Sequence, residues 1–160
     1  MANEDKKDFN AMLLKDTGMP KIQIVDGGDA GEKKMYFAPP TAYDGIMKTV
    51  PYGKLTTVGA IRDYLARKGG ADFTDPMTAG IFISIAAWAS CQRDGDKTPY
   101  WRTLKAGGEL NPKYPGGVAA QKEKLEAEGH SVVQKGRKHI RYYVKDYENA
   151  LFALDEAKPR

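Results

Sequence analysis

The sequence has little cysteine, little histidine and no long apolar run. Its single cysteine, Cys91, excludes an internal disulfide framework. The two histidines, His130 and His139, are too few and too scattered to build a zinc site with it. No apolar run approaches the roughly 18 residues of a membrane-spanning helix, and residues 1–8 lack the apolar segment of a secretory signal. We therefore expect a protein of the reducing cytoplasm, with no membrane segment, no metal and no cofactor.

Negative charge is scarce in the later part of the chain. The whole sequence has 25 basic and 21 acidic side chains, a net charge of +4. Residues 1–40 contain 6 lysines and 7 carboxylates, so the remaining residues carry 25 − 6 = 19 basic and 21 − 7 = 14 acidic groups. An excess of five positive charges suits a polyanionic partner such as nucleic acid, although many unrelated proteins share it.

The length of 160 residues predicts one main domain. Residues 1–40 mix short apolar runs with a glycine-rich charged loop, which indicates a partly ordered N-terminal arm. Alternation at 22–25 and the apolar run at 35–37 predict the two strands of a hairpin within that arm. Residues 41–160 would form the main domain.

Helix signals sharpen after residue 40. Residues 41–44 have the spacing of a capping box, with Asp in place of Glu, and predict a short helix through about Val50. Thr56 or Thr57 then caps a second helix over 58–68, which a Gly-Gly pair ends.

A third helix begins with Asp75 as N-cap and Pro76 at the first helical position, and runs to about Gln92. It is apolar around most of its circumference, so we expect a buried middle and a start that alone can face a ligand. Cys91 would be a small core residue of this helix. Two helices joined by a loop are typical of a helix-turn-helix, although any small helical core can give the same pattern.

The last part of the chain predicts a charged, exposed helix over 118–128, a hairpin from 131–133 and 140–144 with a basic turn at 135–138, and a closing amphipathic helix over 146–157. A basic hairpin after a helix-turn-helix is typical of a winged helix, whose cations neutralise phosphates. The alternative is that these charges keep an edge strand soluble and unpaired.

Adjacent aromatic side chains lie near the centre of the sequence, in a stretch predicted as a strand: Tyr100 and Trp101, followed by Arg102. Prolines on either side hold the backbone, so the rings can form a surface on which a nucleic-acid base stacks. The alternative is that the rings pack a core.

Four motifs then occur in a familiar order: Val-Pro-Tyr-Gly-Lys-Leu-Thr-Thr at 50–57, Thr-Pro-Tyr-Trp-Arg at 98–102, Tyr-Pro-Gly-Gly at 114–117 and Leu-Glu-Ala-Glu-Gly-His at 125–130. In order and approximate spacing they resemble the DNA-binding domain of the alkylguanine-DNA alkyltransferases. That family flips an alkylated guanine into a pocket and transfers the alkyl group to a cysteine. The resemblance implies a mainly α fold with small β elements, a winged helix-turn-helix of the alkyltransferase C-terminal type.

The sequence departs from the family at the reacting residues. The family's signature is Pro-Cys-His-Arg, and this chain has Tyr100 and Trp101 in place of the cysteine and the histidine. Glu128 matches the glutamate that holds the histidine. A phenol with a pKa of about 10 and no adjacent base is a poor substitute for a thiolate. We therefore expect no alkyl transfer and no enzymatic activity.

A second departure concerns base flipping. The family inserts an arginine into the duplex, and no arginine occurs here between Arg67 and Arg93. Alignment on Pro76 places that position near Gly80, and the family's recognition-helix tyrosine is replaced by Val58. Extrusion of a base costs a few kcal/mol, and this chain lacks the arginine that would offset the cost. The sequence therefore does not decide whether the protein flips a base.

The resemblance favours a non-enzymatic protein of the alkyltransferase-like kind, which binds double-stranded DNA, holds alkylated guanine and recruits other repair proteins. We expect a monomer in the cytoplasm, associated with the nucleoid. One alternative is a winged-helix regulator or accessory protein without lesion specificity, in which Tyr100 and Trp101 are core residues. Another is a protein-interaction domain that has lost DNA binding.

The candidate site has two parts. DNA contacts are expected from helix starts and from the hairpin: Thr57, Thr74, Met77, Thr78, Lys135, Arg137 and Lys138. The base pocket is expected from the aromatic stretch, the Gly-Gly pair and the glutamate that matches the family's: Tyr100, Trp101, Arg102, Tyr114, Gly116, Gly117 and Glu128.

Overall fold

The protein mixes helices with short strands, and the computed structural model describes residues 7–15 and 17–154. The helices of this part are α1 (Phe9–Leu14), α2 (Pro40–Thr49), α3 (Val58–Lys68), α4 (Pro76–Gln92) and α5 (Gly117–Ala127). The strands are β1 (Lys21–Asp26), β2 (Glu32–Phe37), β3 (Thr56–Thr57), β4 (Phe73–Thr74), β5 (Thr103–Leu104), β6 (Val132–Lys135) and β7 (Arg141–Val144). Among these described helices, none is long and apolar enough to cross a membrane.

Helices α3 and α4 begin where their capping residues predict. The Thr57 hydroxyl accepts a hydrogen bond from the Ala60 N–H at 3.1 Å, and the Asp75 carboxylate accepts one from the Thr78 N–H at 3.0 Å. Pro76 occupies the first turn of α4, where a missing N–H costs nothing. The predicted bounds of both helices are confirmed.

The start of α2 differs from the prediction. The helix begins at Pro40, and its N-cap residue Pro39 provides no side-chain cap. Asp44, predicted to complete a capping box, is buried and accepts a hydrogen bond of 2.6 Å from the Thr98 hydroxyl. Its carboxylate therefore anchors the distant segment before the aromatic stretch instead of the first turn of its own helix.

The predicted N-terminal hairpin is confirmed, and a helix precedes it. Strands β1 and β2 pair antiparallel, and β2 also pairs parallel with β4, which lies between α3 and α4. Helix α1, which the sequence showed only as a short apolar run, packs on α4, where the Phe9 ring stacks on Trp88 at 5.5 Å. The division of the chain at residue 40 stays a prediction.

The core has two parts. The larger cluster joins buried side chains of α1 to α4 with two tyrosines from the central segment, Tyr100 and Tyr114. The smaller cluster lies between α5, the short β3–β5 sheet and the β6–β7 hairpin, and contains Leu55, Leu104, Leu110, Leu125 and Val144. Half-buried Trp101 contacts both clusters, so the central segment is the junction of the core.

Two predicted elements are wrong. Residues Tyr100–Arg102 form a 3₁₀ turn, not a strand, and the strand that follows is β5. The closing helix is replaced by a 3₁₀ turn at Tyr147–Ala150 and an extended segment. There the Phe152 N–H donates to the Leu55 carbonyl at 2.8 Å, so pairing with Leu55 takes the backbone groups that a helix would use. The predicted helix residues 155–157 lie outside the described part.

Helix α4 exposes more than its start. Met77 is 75% exposed, Ile81 is still 52% exposed one turn later, and Cys91 at the far end is also exposed. The prediction that Cys91 is a core residue is therefore wrong. Its Sγ lies 3.8 Å from the Tyr100 hydroxyl at the surface of the larger cluster.

Candidate nucleic-acid interface

The hairpin β6–β7 presents a basic tip, as predicted. The strands pair from Val132 opposite Val144 to Lys135 opposite Arg141, and residues 134–141 are all exposed. Gly136 has φ 98°, a left-handed conformation that favours glycine and turns the chain at the tip. The hairpin therefore holds a row of cations away from the body of the protein.

The cations of the tip are held loosely. The Lys135 ammonium lies 4.9 Å from the centre of the Tyr143 ring, a contact that leaves the charge accessible to a phosphate. Arg141, at the base of the tip, is paired with Glu109 at 3.7 Å and is 59% exposed. Arg137 and Lys138 are fully on the exposed turn.

Of the four candidate DNA contacts at helix starts, one is an exposed side chain and three form hydrogen bonds within the protein. Met77 is exposed in the first turn of α4. Thr57 and Thr78 are half-buried, and their side chains take part in the N-caps of α3 and α4. Thr74 is buried, and its hydroxyl donates to the Arg62 carbonyl at 2.8 Å. Thr74 therefore does not reach the surface.

Glu128 binds four donors at the centre of the predicted base pocket. Its Oε1 accepts from the Gly53 N–H at 3.0 Å and from Arg102 Nε at 2.9 Å. Its Oε2 accepts from Trp101 Nε1 and from Arg102 Nη2, each at 2.8 Å. Burial opposes ionisation, but the hydrogen bonds from Arg102, Gly53 and Trp101 outweigh it and hold the pKa of Glu128 below its usual value.

Trp101 is fixed by this network and by two cations. The Lys124 ammonium lies 4.9 Å and the Arg102 guanidinium 5.4 Å from the indole ring. Arg102 also donates from Nη1 to the Val50 carbonyl at 2.8 Å. Glu128 therefore holds a tryptophan and an arginine, and it ties three segments of the chain together.

The two tyrosines of the candidate pocket belong to the core. Tyr100 and Tyr114 are 4% and 1% exposed, and their rings meet edge to face at 5.2 Å. The Tyr114 hydroxyl donates to the Thr103 carbonyl at 2.8 Å. Burial raises the pKa of both phenols well above the usual value. The Tyr100 phenol therefore stays protonated at neutral pH.

The Gly-Gly pair starts helix α5. Gly116 and Gly117 have φ of 78° and 68°, and a Cβ on Gly116 would lie 2.5 Å from the Ala120 Cβ. Glycine is required here by the backbone and by this close approach. The Gly117 N–H donates to the Tyr114 carbonyl at 2.8 Å, and the requirement for glycine is structural. The place of both residues in a base pocket stays a prediction.

Gln121 is buried next to the aromatic segment, a position that the sequence did not predict. It was predicted on an exposed helix face, and it is 1% exposed. Its amide accepts from the Asn111 N–H at 2.7 Å and donates to the Trp101 carbonyl at 3.1 Å. A polar residue in a charged helix gives no signal for this role, because the partners come from other segments.

Two further observations concern titratable groups of the described residues. Burial lowers the pKa of His130 below the usual histidine value, which favours the neutral imidazole. In residues 7–15 and 17–154, no group of three or more His, Cys, Asp or Glu side chains is placed to hold a metal ion.

Replacing Trp101 with phenylalanine is expected to lower the free energy of unfolding by about 1.5–3 kcal/mol, because a hydrogen bond to a buried carboxylate is lost. Denaturant unfolding measures this change. Trp88→Phe is the matched control, since the Trp88 indole donates to a neutral carbonyl, that of Lys113, at 2.9 Å. We expect the control to cost about 0.5–1.5 kcal/mol; an equal loss for both variants would contradict the special role of Glu128.

Comparison with solved structures identifies the fold. No family model and no curated protein matches the chain. The structure of the S. pombe alkyltransferase-like protein in complex with DNA matches with a TM-score of 0.50 and 20% identity, over 75% of this chain and 94% of that chain. A structure of S. pombe Atl1 in complex with damaged DNA containing O6-carboxymethylguanine matches with a TM-score of 0.47 and 22% identity, over 74% and 96%. The chain therefore has the alkyltransferase-like fold that the four motifs predicted.

Proposed function

We propose that this protein, which has the alkyltransferase-like fold, binds duplex DNA without acting on it as an enzyme. The observation that carries the proposal is the exposed basic tip of the β6–β7 hairpin, on a fold shared with a protein crystallised with DNA. Lys135, Arg137 and Lys138 would bind phosphates there, and each contact would release counterions from the duplex.

In this proposal α3, α4 and the β6–β7 hairpin act as a winged helix-turn-helix. The first turn of α4 would approach the major groove, with Met77 as its exposed side chain. The backbone contacts set affinity and orientation, because no cation of α4 faces a base edge: the helix contains neither Lys nor Arg.

The aromatic segment supports a protein that does not transfer an alkyl group. The position of the nucleophile is taken by a buried phenol, and the matching glutamate is already bound by four donors. Incubation with an oligonucleotide containing O6-methylguanine is expected to leave the protein mass unchanged in intact-protein mass spectrometry. A gain of one methyl group would contradict this part of the proposal, and a Cys91→Ser variant would show whether Cys91 accepted it.

The packing of the same segment favours a protein that binds DNA without preference for a lesion. It argues against a pocket that holds an alkylated guanine. Tyr100, Trp101 and Tyr114 pack against one another and against the core, and the indole N–H is bonded to Glu128. An everted base would have to displace these contacts. We therefore expect no preference for alkylated guanine; recruitment of other repair proteins, a monomeric state and a place at the nucleoid stay predictions.

The test is a titration of an undamaged labelled duplex by fluorescence anisotropy over a range of salt concentrations. Three phosphate contacts from the tip predict a slope of log K against log [salt] of about −2.7 or steeper. A duplex affinity that is undetectable at low salt would overturn the proposal and favour a protein-interaction domain.

A further inference from the structure

A cleft of about 910 Å³ lies on the outer face of α4 and is not part of the aromatic segment. Helix α1 and Lys7 form one wall, α4 forms the floor, and the loop at residues 112–113 forms the other wall. Its volume is that of a small-molecule site. Neither Tyr100 nor Trp101 nor Tyr114 lines it.

The floor of the cleft is bare backbone at Gly80. Glycine within a helix is less stable than alanine, and a Cβ here would meet no atom within 4 Å. The fold therefore does not require glycine at this position. What the missing side chain provides is access, because a flat ring can approach the backbone of α4 closely.

The walls have the chemistry of a nucleotide site. The half-buried Trp88 ring, which stacks on the buried Phe9 ring, lines the cleft, and the exposed side chains of Met77 and Ile81 extend the apolar surface along α4. Lys113 contributes an ammonium group to one wall, and no carboxylate is among the described residues that line the cleft. Aromatic rings favour the face of a base, and ammonium groups favour its phosphate.

The position of the cleft is continuous with the proposed DNA contacts. Met77 belongs both to the exposed first turn of α4 and to the lining of the cleft. A base that has already left the stack, at a bulge or a gap, would reach the cleft from a duplex bound by that turn. Because such a base is already unstacked, protein binding does not have to supply the free energy of unstacking.

We infer that this cleft binds an unpaired nucleobase of the bound DNA, so that the protein prefers duplexes with an extrahelical base. The inference rests on the proposed DNA binding. It assigns the base to the outer face of α4, leaving the buried aromatic segment as core.

The experiment compares a labelled duplex that carries one bulged adenine with the same duplex without the bulge, by fluorescence anisotropy. We expect about tenfold tighter binding to the bulged duplex, the effect of stacking one base on aromatic side chains. Gly80→Leu fills the floor of the cleft and is expected to bring the two affinities to within about twofold. Gly45→Leu is the matched control, since Gly45 is an exposed glycine within α2 with no atom within 4 Å of an added Cβ.

The possible results separate the two proposals. Equal affinity of the unchanged protein for both duplexes, or a preference that survives Gly80→Leu, overturns the base site and leaves DNA binding intact. Loss of the preference in Gly45→Leu as well also overturns it, because the effect would not depend on the cleft. Failure to bind either duplex at low salt overturns the DNA-binding proposal together with the base site.

Discussion

Replacement of Glu128 by alanine is expected to lower the free energy of unfolding by about 3–5 kcal/mol, the cost of removing one partner from a buried ion pair. The side chains of Glu128 and Arg102 are only 5% and 12% exposed, and their ion pair is 2.8 Å long. Without the carboxylate, the Arg102 guanidinium keeps the Val50 carbonyl as a hydrogen-bond acceptor, and the Trp101 indole and the Gly53 N–H lose theirs.

Chemical denaturation measures this loss, and Glu126→Ala is the control because Glu126 lies two residues before Glu128, in the last turn of α5, and is exposed. The control should change stability by no more than about 0.5 kcal/mol. Similar losses for the two variants would show that the Glu128 network does not hold the aromatic segment.

The Glu128 network also predicts a pH dependence. Because the pKa of Glu128 is lowered in the folded protein, its stabilisation is fully present above the unfolded value of about 4.3 and is lost as the pH falls through the folded value. Glu128→Gln removes this contribution. The stability difference between the unchanged protein and Glu128→Gln should therefore shrink below about pH 4, as followed by denaturant unfolding at several pH values. A constant difference would contradict the assignment.

Removal of two cations from the tip of the β6–β7 hairpin is expected to have the largest effect on binding. Arg137→Ala combined with Lys138→Ala should weaken duplex binding by roughly 10- to 100-fold near physiological salt and should make the salt slope shallower by about 1.8. The physical reason is that two fewer phosphates are neutralised, so fewer counterions are released.

The matched control replaces Lys33 and Lys34 of β2 with alanine. This change lowers the net charge by the same two units, but on another sheet. The control should keep most of the slope. Equal effects of the two double variants would mean that net charge, and not the hairpin, governs binding.

Elements set by neighbouring residues could be predicted from the sequence. Asp75 and Pro76 define the start of α4 because a cap and a first-turn proline act within one helical turn. The bounds of α3, which Thr57 caps, and the paired strands of both hairpins follow in the same way. The alkyltransferase-like fold was predicted from motif order, since those motifs lie at the turns that join the elements.

Features set by distant partners could not be predicted. Asp44 looked like a cap, but its partner Thr98 lies 54 residues away. Gln121 looked exposed, but its partners are on the segments at Asn111 and Trp101. The 3₁₀ turn at Tyr100–Arg102 likewise depends on tertiary packing of its rings, which overrides their preference for strands.

The cleft on α4 was missed for a related reason. In the sequence, Gly80 stands near the position of the family's inserted arginine, and the apolar residues around it predict a buried helix. Gly80 lies in a helix beside the exposed side chains of Met77 and Ile81. These residues indicate a cleft only when the position of α1, which forms the opposite wall, is known.

The most direct test of the proposed function is binding to two matched duplexes, one with a single O6-alkylguanine, each at two salt concentrations. Affinities for the two duplexes that agree within about twofold, and that fall together as salt rises, are the result predicted for recognition through the phosphates. Clearly tighter binding to the alkylated duplex at both salt concentrations would contradict it, because the buried aromatic segment would then have to open for the lesion.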